Sequence, residues 1–240
     1  MGLAAGAVRA RSRAAPMNHS ETPSRGSVMQ EVGVRLRALW AVKTVGLTVG
    51  IAMFFTAYFY VLRHPQFPVT VMPLTWVDRL VTIRAEALPL YFSLWVYVLL
   101  AFALLKERAE LRAHALTAIA LSVVGLTFFY FWPTAVPPLD VDWSAHPSLA
   151  FLKTVDAAGN ACPSLHVAFA VIAALWVGRV LRVIGAGVAV RAGNVLWALG
   201  IAYSTLATGQ HVALDVLAGG VLGALAAWPL ARRPVAQSRR

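Results

Sequence analysis

Two histidines and one aspartate stand apart by type and spacing. Asp215, in TGQHVALDVLAGG, is the one acid of ten that lies inside an apolar segment; the other nine occupy loops or tails. A carboxylate within a membrane span costs roughly 2.5–3.5 kcal/mol on insertion scales, so it needs a partner and a purpose. His211 precedes it by four residues. On a helix these positions share a face, so the spacing predicts a carboxylate that accepts a hydrogen bond from the imidazole and fixes its tautomer. The other ring nitrogen then keeps its lone pair for chemistry. His166 closes NACPSLH at the start of another apolar segment, where Asn160 or Ser164 can cap a helix and Pro163 suits its first turn. The unpaired amides and the dipole of such a helix start form an anion site.

Two imidazoles, one orienting carboxylate and a helix N-terminus suit phosphoryl transfer through a covalent phosphohistidine. In that chemistry His211 attacks phosphorus, Asp215 orients it and stabilises the imidazolium, and His166 protonates the departing oxygen. Ser164 and nearby amides, that of Leu165 among them, would hold phosphate oxygens. The same side chains could ligate a metal. No H-E-x-x-H is present, however, and Asp215 is better placed to hold His211 than to reach past it.

The elements that position these residues must be membrane spans. Over 240 residues, 59% are apolar and 13% charged, with a mean hydropathy of +0.69, which excludes an ordinary soluble domain. The expected fold is all-α, an integral membrane bundle of six transmembrane helices. The expected spans are 44–62, 87–105, 115–132, 163 to 179 or 182, 192–208 and 211–230. They lie in a membrane domain over 39–231, between a disordered tail at 1–38 and a basic tail at 232–240. His166 and His211 are 45 residues apart; two crossings and a short turn use up that separation and return the chain to the same membrane face. Gly219 and Gly223 predict close packing of the sixth helix. Cys162 is the single cysteine and forms no internal disulfide.

A net charge of +11 would raise nucleic acid as a partner in a soluble chain. Its distribution points to topology instead. With both termini cytoplasmic, 17 cations fall in the inner segments and four (Arg63, Arg79, Arg84 and Lys153) in the outer ones. No nucleic-acid partner is expected; the bilayer is. The long loops at about 63–86 and 133–162 then lie outside with His166 and His211, and loops of that length are usually functional.

The motifs resemble the type 2 phosphatidic acid phosphatase superfamily, whose pattern is K-x6-R-P, then P-S-G-H, then S-R-x5-H-x3-D. The second block is similar to Pro163-Ser164-Leu165-His166, with Leu for Gly. The third is similar to Ser204-Thr205, five residues, His211, three residues and Asp215, with Thr for Arg. PSLHV and STLATGQHVALDV resemble most the branch that includes inositol phosphorylceramide synthases. The K-x6-R-P block is missing; PTAVPP at 133–138 stands in its place, with Pro137 where Arg would be.

The resemblance implies a cell-membrane lipid phosphatase or phosphotransferase, acting without cofactor or metal on a lipid phosphate at the outer face. A dianionic phosphate needs cations in a water-poor site, so Arg79, Arg84 and Lys153 are expected to substitute for the missing ones. If none does, the site takes a phosphodiester or a headgroup of lower charge, or the chain is an inactive, lipid-binding relative.

Overall fold

The structure, a computed structural model, describes residues 25–155 and 159–231. It is mostly helical. The described helices are α1 (Arg25–Arg37), α2 (Trp40–Arg63), α3 (Trp76–Leu80), α4 (Leu88–Ala103), α5 (Arg108–Phe131), α6 (Pro147–Val155), α7 (Leu165–Val183), α8 (Val188–Ala207) and α9 (Ala213–Ala231). Their boundaries follow local chemistry. Pro65 and Pro133 lie just past the ends of α2 and α5, Pro89 sits in the first turn of α4, and Ser164 caps α7. Each of the six segments expected to span falls on one of α2, α4, α5, α7, α8 and α9.

Among the described residues, four stretches, α2, Ala85–Ala103, α5 and α7, are long and apolar enough to cross a bilayer. Large side chains such as Val45, Met53, Val96, Ile119 and Leu196 are exposed on the helices, an outward apolar surface that suits a membrane protein. The core is built around α7, which packs on α4, α5, α8 and α9. Its buried face interleaves small residues, Ala168, Ala170, Ala173 and Gly178, with Ile172, Trp176, Val177 and Val180. Small residues let helix backbones approach where lipid offers no hydrophobic drive for association.

Gly219 and Gly223 of α9 show how close that approach is. A Cβ at 219 would collide with the Ser164 carbonyl, and one at 223 would lie 2.6 Å from the Ala168 carbonyl oxygen. Several polar groups within the bundle are paired across helices. The Tyr97 hydroxyl donates to Asn194 Oδ1 (2.7 Å), Asn194 Nδ2 to the Ala174 carbonyl (3.0 Å), and Trp197 Nε1 to Ser93 Oγ (2.8 Å). These bonds tie α8 to α4 and α7.

The expectation of a disordered tail over 1–38 is corrected for 25–37, which form α1. Glu31 meets Lys106 (2.8 Å) and Arg35 (3.1 Å). Arg35 Nη1 donates to the Leu104 carbonyl (3.2 Å), and Lys43 Nζ to the carbonyls of Arg35 and Ala103 (2.7 and 2.6 Å). The end of α4 thus offers unpaired carbonyls to cations, a tertiary partnership that polar composition does not reveal. The salt bridges hold the Glu31 carboxyl below its ordinary pKa, chiefly through the Lys106 hydrogen bond. Residues 1–24 and 232–240 lie outside the described residues.

The two long loops fold against the end of the bundle that carries His166 and His211. A two-residue parallel pairing joins Thr70–Val71 to Thr134–Ala135, and Thr134 bridges on to Asn160. Gly209, at the α8–α9 turn, has φ 67°, a region side chains disfavour. A Cβ there would meet Leu139, Ile83 and Trp143 at 3.1–3.5 Å, so both loops close over this turn.

The packing predicts a contrast between neighbouring glycines. Gly219→Ala should lower stability by about 1–3 kcal/mol through overpacking against α7, whereas Gly220→Ala, which meets nothing within 4 Å, should be neutral or stabilising by up to about 1 kcal/mol. Thermal unfolding in detergent compares the two.

Candidate active site

The approach to α7 is anchored by Thr134. Its carbonyl accepts the N–H groups of Gly159 and Ala161 (3.1 Å each), and its hydroxyl accepts that of Cys162 (2.7 Å). Asn160 Nδ2 donates to the Tyr58 hydroxyl of α2. The chain then passes through a cis Cys162–Pro163 bond into Ser164, whose hydroxyl caps the helix by accepting the Val167 N–H (3.3 Å). The Ser164 N–H donates to the main-chain carbonyl of Asp215 (3.0 Å). The P-S-L-H and H-x3-D segments are therefore joined directly through the backbone.

On the other side, α8 ends at a turn in which the N–H groups of Gln210 and His211 both point to the Thr205 carbonyl (3.0 and 3.1 Å). The next helix begins at Ala213, so His211 precedes α9. The expected same-face pairing along a helix is corrected: the pair is held by a helix start. Asp215, third residue of α9, turns back so that its Oδ2 accepts the Val212 N–H (2.9 Å), as the acidic member of a capping box does. This leaves His211 Nδ1 3.5 Å from Asp215 Oδ2, a charge–dipole contact longer than a formed hydrogen bond. Such contacts tighten when a positive ring forms or substrate binds. Because Nδ1 faces the carboxylate, Nε2 is the nitrogen left for a reaction.

Asp215 is fully buried, and its Oδ1 and His211 Nδ1 lack hydrogen-bond partners. Its position in the first turn of α9 favours its negative charge through the helix dipole. His166, second residue of α7, lies with its ring centroid 6.0 Å from that of His211 at 58°. The Tyr91 ring stacks on His166 (4.4 Å, 23°), and Trp95 stands edge-on at 6.4 Å. Two tilted imidazoles at this separation can address one tetrahedral group from two sides.

Residues 87–229 match the family model of the PAP2 superfamily. The chain belongs to the PAP2 superfamily. No curated protein and no solved structure matches it. Superfamily membership supports a phosphatase-type, phosphoryl-transfer enzyme in general terms. The matched region contains Tyr91, His166, His211 and Asp215; Asp78, Arg79 and Arg84 precede it.

Within this PAP2 fold, the structure brings together His211, Asp215, His166 and Ser164. Ser164 is buried and its hydroxyl serves as helix cap. The Leu165 side chain packs toward Gly125 of α5, which leaves only its backbone amide, in the first turn of α7, for an anion. The Arg79 and Arg84 side chains are exposed; Arg84 is tied to the site by its main-chain N–H, which donates to the Ala207 carbonyl (2.7 Å). Lys153 lies on α6, and its side chain is outside the described residues.

Two residues, Tyr91 and Thr134, escaped the sequence reading, and Asp78 was noted in the 63–86 loop without a role. Tyr91 backs His166, and Thr134 braces the entry to α7. Asp78 Oδ1 accepts the Ala213 N–H (2.7 Å), and its Oδ2 accepts the N–H and hydroxyl of Thr75 (2.7 Å each). Burial works against the Asp78 charge, yet these hydrogen bonds hold its carboxyl below the usual range. The Thr75-x-x-Asp78 capping box was legible; its contact 135 residues along the chain had no local signal.

Cys162 reports on this electrostatic setting. Burial, and then the Asp215 charge, push its thiol up to about 11. Its alkylation by a membrane-impermeant maleimide should keep rising about ten-fold per pH unit beyond pH 9, because the thiolate is the nucleophile. Asp215→Asn should speed labelling at pH 8 by removing the nearby charge. Stopped-flow labelling rates of the single thiol check both outcomes.

Proposed function

We propose that this PAP2 superfamily member is a multi-span lipid phosphatase or phosphotransferase working through a phosphohistidine on His211. Nε2 of His211 forms a bond to phosphorus as the bond from phosphorus to the leaving oxygen breaks, and His166 delivers a proton to that oxygen. Asp215 stabilises the imidazolium that results. In the second step, water or an alcohol attacks phosphorus while His166 takes its proton, and the His211–phosphorus bond breaks. The observation that carries this reading is the 6.0 Å approach of the two rings, with the Asp215 carboxylate behind Nδ1 of His211.

Backbone amides at the start of α7 and the Ser164 region are the proposed phosphate cradle. The bundle is read as six crossings, with α8 and α9 as the fifth and sixth beside α7. The strong bias of cations toward one set of loops supports cytoplasmic termini and an extracytoplasmic site in the cell membrane. The lipid enters laterally from the bilayer, with its tails among the helices and its headgroup at the two histidines.

One observation favours headgroup transfer as a second reading. Thr205 and Pro137 stand where the resembled pattern has Arg, and Arg79 and Arg84 are exposed. A phosphodiester carries a single negative charge and needs less counter-charge than a monoester dianion. This agrees with the motif resemblance to the branch containing inositol phosphorylceramide synthases.

Purified protein assayed against a panel of lipid phosphates tests both readings. Free phosphate released from a monoester supports hydrolysis, and headgroup exchange without phosphate release supports transfer. His211→Ala should abolish turnover. His166→Ala should lower kcat by about 10²–10⁴-fold on a lipid substrate, and far less on an aryl phosphate whose leaving group needs no proton. Unchanged turnover in His211→Ala would refute the nucleophile assignment.

A further inference from the structure

Asp78 is the carboxylate that the loop between α2 and α4 places against the α8–α9 turn. Its Oδ1 holds the N–H of Ala213, the first residue of α9, two positions from both His211 and Asp215. Its Oδ2 takes the N–H and hydroxyl of Thr75. The carboxylate cannot swing away without losing all three bonds. Nearby, the Arg84 N–H is bound to the Ala207 carbonyl at the end of α8, and Ile83 lies over Gly209. Residues 75–84 therefore strap the turn that carries His211 at both of its ends.

The strap also has an electrostatic consequence. The N-termini of α7 and α9 lie side by side, and either could attract an anion. That of α9 already holds two carboxylates, Asp215 on the Val212 N–H and Asp78 on the Ala213 N–H. That of α7 is capped by the neutral Ser164 hydroxyl. A phosphate is repelled by the first and attracted by the second, where His166 stands in the opening turn of α7.

We infer that Asp78 is a positioning residue for phosphoryl transfer: it clamps the start of α9 so that His211 presents Nε2, and it steers the phosphate to the start of α7. This rests on the phosphohistidine reading proposed above. A purely structural clasp would affect turnover and anion binding in the same direction. The steering role moves them in opposite directions.

The test uses the full chain in detergent. Asp78→Ala should lower kcat about ten-fold or more, as misplacement of a reacting group does, while inorganic phosphate inhibits about three-fold more tightly because the repelling charge is gone. Asp78→Asn keeps an oxygen for Ala213 but loses the charge, so phosphate inhibition should tighten with little change in amide exchange. Thr75→Val removes one of the two bonds that hold Asp78 Oδ2 and should lower kcat in the same direction as Asp78→Ala, by a smaller factor. Hydrogen exchange of amides 211–216, read by mass spectrometry, should accelerate in Asp78→Ala. That measurement requires no turnover, so it separates failure of the strap from failure of the lipid-phosphate reading. Unchanged exchange in Asp78→Ala, a kcat within two-fold of the original, or weaker phosphate inhibition accompanying lower kcat would overturn the inference.

Discussion

The contact on which the site depends is the meeting of two helix starts. Ser164, at the head of α7, donates its N–H to the carbonyl of Asp215 in the first turn of α9, and this is possible because Gly219 lacks the Cβ that would strike the Ser164 carbonyl. A main-chain bond between two backbones in van der Waals contact leaves little freedom for either. His166 follows Ser164 by two residues, and His211 precedes Asp215 by four. The backbone positions of both histidines are thereby fixed relative to one another.

The same meeting concentrates positive helix-end potential at one spot, and the chain partitions it by type of cap. A neutral hydroxyl caps α7, while carboxylates occupy α9. Asp215 is tolerable without solvent because the Val212 N–H and the helix dipole compensate its charge. His211, held 3.5 Å away, gains a partner whose attraction grows when the ring becomes positive. In the proposed mechanism an acid in this position contributes most when the ring becomes cationic.

The loop residues at the histidine end act as a brace. Thr134 gathers the strand pairing with Thr70 and the amides of 159, 161 and 162 into one junction. Asp78 and Arg84 fasten the other loop to the α8–α9 turn. Tyr91 presents its ring face to His166 from α4. At the opposite end, α1 closes under α4 through Arg35 and Lys43. The histidine end is thus shaped by loops, while the far end is sealed by cations on helix carbonyls.

Much of this was legible in order along the chain. Apolar runs long enough to form spans, a lone acid within one of them, and the spacing of His166, His211 and Asp215 are local properties, and local properties predict helices and the chemistry they carry. Three things were decided by tertiary structure. His211 sits ahead of a helix because Gly209 and the Thr205 carbonyl close the chain there. Residues 25–37 are helical because Glu31 and Arg35 find partners on a distant loop. Asp78 reaches Ala213 across 135 residues. A hydrogen bond depends on distance and direction in space, whereas sequence records only order, so the candidate residues could be named from the chain but the groups that hold them could not.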